Sequence, residues 1–465
     1  MANRVDSKTA ILPGNIKSIE ITSKPEFGSK ALDVTGAVAD FFFYESVLSN
    51  TITATVMIVD TGSGTENDKT TKSSTIINQL GLSGGERVDF EIEDNNPNTK
   101  GRGIIKLTMY INRIRDGIGG ALKNAYALDL VSPEYISNER VRVTKRYDGN
   151  ISDHVESILS NVLTINEVKG ANENLQPEIH KTGLNYNFIG NSRKPLYTCT
   201  WLASKAVPEG VSEDNTSSLG KQAGFLFYQT RDRFHFISID NRFGKVDYNR
   251  NIKNYIYNNT GTEVEGYDMN ILSYTLDKTV DLQKDMSMGT YNNSSIFFDF
   301  FSMGYRVQDY GLVEDQLEGL NNSYYMNMPA REVIDAPTRL MSHVLDVGTL
   351  PAGVNSDQQL AKWKQNPKEA NWRADKTMAQ SIMRYNQMFS MQLSITIPGD
   401  FEIQAGDLIN CTFKDVNADL PKDADISGIY MVANVCHRLR PTETFTKLDL
   451  IRDNKFTNVI PRTTK

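Results

Sequence analysis

Polar and apolar positions alternate in twos near both ends of this chain and recur in steps of three and four between them. In Thr51–Val59, Ile52, Ala54, Val56 and Ile58 fall on one side and Thr51, Thr53 and Thr55 on the other. That is the period of a strand with one dry face. Val88, Phe90 and Ile92 alternate with Asp89, Glu91 and Glu93, and Ile105, Leu107, Met109 and Ile111 with Lys106, Thr108 and Tyr110. Turn-rich pieces at 94–98 and 117–120 separate such runs, and strands so spaced predict a small barrel or sandwich. The Gly/Ser/Thr/Lys-rich stretch Thr61–Ser74 has no apolar pattern and is expected to be a mobile exposed loop.

Past Arg146 the period lengthens. Ile151, Val155, Ile158 and Val162 predict a helix with Ser152 as its candidate N-cap. A second helix is expected to start at Pro195, a residue suited to the first helical position, with Leu196, Cys199, Leu202 and Ala206 on one face. Gly224–Thr230 and Phe234–Asp240 predict a hairpin across Arg231-Asp232-Arg233. Weaker strand signals run from Tyr248 to Tyr310, and residues 311–370 are polar and irregular. A last helix is marked by Ala374, Met378, Ile382, Tyr385 and Phe389.

That helix feeds a second copy of the opening pattern. The first copy runs through Thr51–Asp60, Gly84-Gly85-Glu86-Arg87-Val88 and Leu128-Asp129-Leu130. The second runs through Met391–Asp400, Ala405-Gly406-Asp407-Leu408-Ile409 and Leu448-Asp449-Leu450. From Gly85 to Leu128 is 43 residues, and from Gly406 to Leu448 is 42. Gly84, Gly85, Gly399 and Gly406 are the expected structural turns, where a positive φ or a close backbone approach favours glycine. Replacing Gly85 or Gly406 by Val is expected to harm assembly more than losing any His or Cys. A chain carrying one barrel twice can supply two pseudo-equivalent units to a ring.

Composition narrows the class. The chain has 465 residues, 23% charged and 39% hydrophobic, enough for several folded domains. A net charge of −7 is unlike the basic stripe of a dedicated nucleic-acid binder. No run approaches the ~20 apolar residues of a membrane span. The N-terminal residues lack the apolar core of a signal peptide. Cys199, Cys411 and Cys436 are scattered without Cys-x-x-Cys spacing, which fits a reducing compartment.

Candidate chemistry is sparse. The sequence has no His-Glu-x-x-His and no phosphate-binding Gly-rich loop ending in Lys-Ser/Thr, and Gly81-Leu82-Ser83-Gly84-Gly85 reads as a turn. The histidines at 154, 180, 235, 343 and 437 are isolated, and His235 is expected to be structural. Cys436 and His437 are neighbours in a strand, so they point to opposite faces and cannot act on each other. Asp415-Val-Asn417-Ala-Asp419 begins like a calcium loop, but Leu420 stands where Gly is needed and Ile426 where Glu is needed. Asp277, Asp281 and Asp285 recur every four residues and are expected to form a solvated face. No catalytic, cofactor or metal residue is expected, and no cofactor.

Asp40–Val56 with Leu82–Val88, Lys194–Ala206 with Gly224–Thr230, and Ile397–Asp407 with Asp425–His437 resemble, in that order, the central hub proteins of contractile-tailed phage baseplates. Those hubs are related to the hub part of type VI secretion spike proteins. The resemblance covers roughly residues 15–140, 190–245 and 385–455. The hairpin tip departs from it, with Asp232-Arg233 in place of Asp-Gly.

The fold it implies is mainly β with α+β insertions: two similar antiparallel β-barrel tube domains, the second discontinuous. The expected domains are 1–140, a first barrel; 141–214, an α/β insertion; and 215–245, the hairpin beginning the second barrel. They continue as 246–384, a peripheral insertion; 385–455, the rest of the second barrel; and 456–465, a tail. The function it implies is structural, a homotrimeric pseudo-sixfold ring joining a six-fold tail tube to a three-fold spike. Expected partners are the spike protein, the tube protein or its initiator, and the wedge proteins of the baseplate. DNA would pass without specific binding through a channel that is not strongly basic. The expected location is the virion, after assembly in the host cytoplasm. A receptor-binding adhesin is the alternative, and a cell-wall hydrolase stands behind it.

Overall fold

The computed structural model describes residues 13–61, 75–96, 99, 103–119, 123–164, 176–183, 185–209, 223–239, 242, 252–257, 269–278, 281–299, 303–311, 335–344, 371, 374–413 and 426–452. Residues 62–74 and 414–425 lie outside them, and with them the expected mobile loop and the Asp415–Asp419 lookalike.

The N-terminal part is antiparallel β: β1 (Asn15–Thr22), β2 (Ala31–Asp33), β3 (Val38–Ser46), β4 (Thr53–Asp60), β5 (Arg87–Glu93), β6 (Ile104–Gly119) and β7 (Asn124–Val131). Alternation sets their faces. In β4 the burial pattern is strictly period two, with Ala54, Val56 and Ile58 inside. These pack with Ile19, Phe41, Phe43, Phe90, Leu107 and Leu128 in one core.

A mixed region follows, with β8 (Arg146–Tyr147), β9 (Glu178–Ile179), β10 (Phe188–Ile189), β11 (Phe225–Gln229) and β12 (Phe234–Ser238) around helices Ile151–Ser157 and Pro195–Ala203. The first helix continues as a π-turn over Ile158–Val162. Its N-cap position is Asn150, not Ser152; the Ser152 N–H donates instead to Thr182 Oγ1 at 2.9 Å. Pro195 does open the second helix.

The expected hairpin forms in register, Phe227 opposite Phe236, but it is not part of the second barrel's sheet. It makes a three-stranded sheet with β9. Its two faces serve two cores. Phe225, Phe227, Phe234 and Phe236 pack against the helices, while Leu226, Tyr228 and Ile237 join the second repeat. Strands buried on both faces read as near-continuous apolar runs, which explains the Phe-rich pattern around the buried polar Gln229, His235 and Ser238.

The chain continues through β13 (Lys253–Tyr257), β14 (Ser273–Lys278), β15 (Asn292–Asp299), β16 (Gly304–Gly311) and β17 (Arg339–Val344). β17 corrects the expectation of an irregular 311–370: it pairs parallel with β15. The rest of that segment, apart from Gly311 and residues 335–338, lies outside the described residues. Asp277, Asp281 and Asp285 do not form one solvated face: Asp277 is exposed on β14 and exposed Asp281 caps the helix Leu282–Ser287, but Asp285 is buried within that helix. The helix Ala374–Met388 then leads into β18 (Met391–Pro398), β19 (Leu408–Phe413), β20 (Gly428–Leu439) and β21 (Thr444–Arg452).

The repeat in the sequence is a repeat in the fold. One 13-stranded sheet runs through the chain, and within it two units share one strand order. The first is β3-β4-β7-β6-β5-β1, and the second is β14-β18-β21-β20-β19-β13. Their last strands differ in direction, because β1 is antiparallel to β5 whereas β13 is parallel to β19. Each unit rolls round its own core and meets itself through a backbone hydrogen bond: Val34 N–H to Ile19 O at 2.9 Å, and Ile271 N–H to Ile256 O at 3.0 Å. Among the described residues no continuous ladder closes either barrel.

Candidate functional site: the joint between the two repeats

The matched turns are built alike. Gly85 N–H donates to Ile111 O at 2.6 Å, and Ile111 N–H returns to Glu86 O at 2.9 Å. Gly406 N–H donates to Val432 O at 2.8 Å, and Val432 N–H returns to Asp407 O at 2.8 Å. The φ angles of the two glycines are +88° and +86°, a region that favours glycine. In each copy the following acid caps the turn three residues back: Glu86 accepts from Ser83 N–H and Asp407 from Gln404 N–H, both at 2.9 Å.

A β-bulge follows in each copy, between Ile111 and Arg113 on β6 and between Val432 and Asn434 on β20. The aspartates of the Leu-Asp-Leu strands each accept a hydroxyl from the paired strand, Thr55 to Asp129 at 3.0 Å and Ser394 to Asp449 at 2.9 Å.

The expected turn residues differ in their surroundings. Gly84 has φ +100°, and a Cβ there would meet nothing closer than Ile111 O at 3.8 Å. A Cβ on Gly406 would lie 2.0 Å from the hydroxyl of buried Tyr228, whereas one on Gly85 would meet only the Lys24 stem, at 3.8 Å. Gly399 sits against Thr444, whose Cγ2 a Cβ would reach at 2.5 Å.

The two repeats are joined by β20 and β3, which pair antiparallel from Asn434 opposite Ser46 to Leu439 opposite Phe41. The cores interlock across this seam. Phe401 and Leu439 of the second repeat are buried in the first core, and Val47 of the first repeat in the second.

Charged groups lock the orientation. Arg438 donates to both oxygens of Asp40, and Arg440 donates to Asp40 Oδ2 at 3.0 Å. Glu45, 2% exposed, accepts from the N–H of Arg231 at 2.8 Å and of Ala405 at 3.0 Å. Burial pushes its carboxyl up to about 7, against the pull of the Arg231 charge. Arg231, at the hairpin tip, donates to Phe401 O and Glu402 O. Asp94 accepts from Phe401 N–H at 2.8 Å, and burial raises its carboxyl to about 6. His437 packs between Phe43 and Phe401, hydrogen-bonded to Thr446 Oγ1 and Ile403 O. Burial, then the nearby Arg231 charge, drives the imidazole down to about 3, so it is neutral.

Sequence reasoning found the matched turns but missed Asp40, Glu45, Asp94 and Arg231. The signal available for the first two was an acid in an aromatic-rich strand, Asp40-Phe-Phe-Phe-Tyr-Glu45.

One cluster has the order of an activated hydroxyl. His235 Nδ1 lies 2.9 Å from Glu178 Oε2, and His235 Nε2 lies 3.1 Å from Thr230 Oγ1. Hydrogen bonds from His180 and His235 hold the Glu178 carboxyl far below its ordinary range. Thr230 is only 1% exposed, so a substrate has no approach to its oxygen. The cluster ties the hairpin to β9. Cys436 is turned away from His437 towards Tyr44, and burial raises its thiol to about 11, which keeps it unreactive. Among the described residues no group of His, Cys, Asp and Glu could hold a metal ion, and no helix is long and apolar enough to cross a membrane.

The fold and the joint define a mainly β protein with α+β insertions, built on a duplicated six-strand unit whose copies are fastened strand to strand. No protein-family model matches the chain, and no curated protein matches its sequence. Similar solved structures include the tail protein from Neisseria meningitidis MC58, at 11% identity and a TM-score of 0.47 over 94% of this chain and 97% of that one. They also include the 43 kDa tail protein of prophage MuSo2 from Shewanella oneidensis, at 9% identity and a TM-score of 0.48 over 95% and 99%. A third is the prophage tail protein gp18 from Listeria monocytogenes EGD-e, at 9% identity and a TM-score of 0.43 over 94% and 95%.

Proposed function

We propose that this protein is a structural component of a phage tail baseplate, a hub in which three chains form a ring of six similar barrels. The ring would join a six-fold tube to a three-fold spike and leave a channel for DNA. The observation that carries this reading is the duplication itself: one strand order, one glycine turn and one bulge, found twice in a single chain. Two equivalent units per chain make three chains present six equivalent positions to one neighbour and three to the other. The buried joint supports the same reading, because it fixes the angle between units as a ring requires. The partners in this reading are the spike, the tube or its initiator, and the wedge proteins, and the site of action is the virion.

The test is the mass of the purified protein in solution, alone and with its spike, followed by electron microscopy of the particles. The expected result is a trimer with six lobes around an opening that is not densely lined by Lys and Arg. A strict monomer under both conditions, or a ring of another order, overturns the proposal.

A further inference from the structure

The seam inside the chain has a counterpart that the described residues leave open. β20 is long enough to pair twice on one side: Gly428–Met431 faces β19, and Asn434–Leu439 faces β3. Its equivalent, β6, pairs β5 through Ile104–Tyr110. Among the described residues, no strand pairs with the same side of β6 beyond that point. The equivalent of β3 is β14, which among the described residues pairs β18 on one side and ends the sheet path on the other. β3 has a neighbour on each side and its residues are largely buried, while every residue from Leu272 to Asp277 is exposed, including Leu272, Tyr274 and Leu276. An exposed apolar edge strand is a ready template for pairing.

We infer that, in the ring, the free edge of β6 pairs antiparallel with β14 of the next copy of this chain, repeating between subunits the β20–β3 joint within one. This rests on the ring reading above and adds its contact and register.

The register follows from strand partners. Arg115 lies opposite Ala127 as Cys436 lies opposite Lys447, and Ile118 opposite Ala125 as Arg438 lies opposite Phe445. β6 therefore holds one extra residue between these points. β14 also holds one extra: Leu276 and Lys278 face Leu393 and Gln392, where Phe43 and Tyr44 face Ala54 and Thr53 without a break. Within the chain Cys436 pairs Tyr44 and Arg438 pairs Phe42. Transferred, Arg115 pairs Lys278 and Ile118 pairs Thr275. The two extra residues fall at the same level and cancel, so the ladder 115–119 against 278–274 runs without a bulge. Unrelated edges have no reason to match in this way.

The register sets Gly117 opposite Leu276, and a Cβ on Gly117 meets open space. The experiment uses the full chain with Cys436→Ser and the pair Gly117→Cys with Leu276→Cys, treated with oxidant or a short thiol crosslinker. The comparison pair, Gly117→Cys with Tyr274→Cys, lies two residues out of register. The single-cysteine variants are weighed first, and a ring mass equal to the parent shows that the fold survives. The expected result is intersubunit crosslinking at least tenfold faster for the in-register pair, with amides 115–119 and 274–278 protected from hydrogen exchange only in the ring. A trimer that crosslinks no faster in register, or leaves those amides exchanging freely, overturns the seam and spares the ring. A chain that stays monomeric overturns the ring reading and the seam with it.

Discussion

Gly85 and Gly406 share a turn and a φ angle, yet only one of them is also crowded. Alanine at either position bears the left-handed strain of about 1–2 kcal/mol. At 406 the new Cβ must in addition push aside the ring of Tyr228, which is fully buried. Gly406→Ala should therefore cost about 3 kcal/mol or more, and Gly85→Ala about half that, measured by urea unfolding. Among the described residues the Tyr228 hydroxyl has no hydrogen-bond partner. Tyr228→Phe should thus be tolerated alone and should recover part of the Gly406→Ala loss; equal costs at 85 and 406 would refute the crowding account.

His437 supplies a pH test on the same scale. Its folded pKa, about 3, lies below the ordinary value of 6.5. Its contribution is therefore fully present above pH 6.5 and is lost as pH falls towards 3. Glu45, raised to about 7, acts in the opposite sense, adding stability as pH falls from 7 towards 4.5. His437→Gln, which keeps an acceptor and a donor, should lose about 2 kcal/mol less than the parent between pH 7 and 5. An unchanged pH profile would mean that the imidazole is not buried as described.

At the scale of elements, the joint contains two acids that look alike in sequence and do different work. Asp40 holds Arg438 and Arg440, both a third or more exposed. Water and salt replace such a partner easily, and Asp40→Ala should cost about 1 kcal/mol. Glu45 accepts from two N–H groups, the part-buried one of Arg231 and the buried one of Ala405, that bring the hairpin and the glycine turn onto β3. Each orphaned donor costs about 1–3 kcal/mol, so Glu45→Ala should cost about 2–5 kcal/mol. The reverse order of the two losses would show that the exposed ion pairs, not the buried amides, fasten the repeats.

At the scale of the molecule, interlocked cores make two repeats one cooperative body. Phe401 and Leu439 lie in the first core and Val47 in the second, so neither repeat can open without exposing apolar surface of the other. Thermal unfolding of the two repeats should coincide. Fluorescent labels placed in each repeat, at exposed Met57 and exposed Leu276, should report the same midpoint, whereas Phe401→Ala should lower both together. Two separated transitions would show that the seam is a contact between independent domains.

The sequence by itself determined the repeat, most of the strands and helices, and the glycine turns, because each rests on local rules. A period of two shows which side of a strand is dry, proline opens a helix, and glycine tolerates a positive φ. The matched spans of 43 and 42 residues even carried the equivalence of the two units. Only the tertiary structure decided which strands became neighbours. The pairing of β20 with β3 spans about 390 residues of chain, as the Arg438–Asp40 bond records with a separation of 398. Backbone hydrogen bonds are the same for any two strands, so alternation does not name the partner across such a distance. The hairpin shows the same limit: Phe-rich strands signal burial on both faces, but not that those faces belong to two different cores. The direction of β13 and the pairing of β17 were likewise set by where the chain returned, which no local pattern encodes.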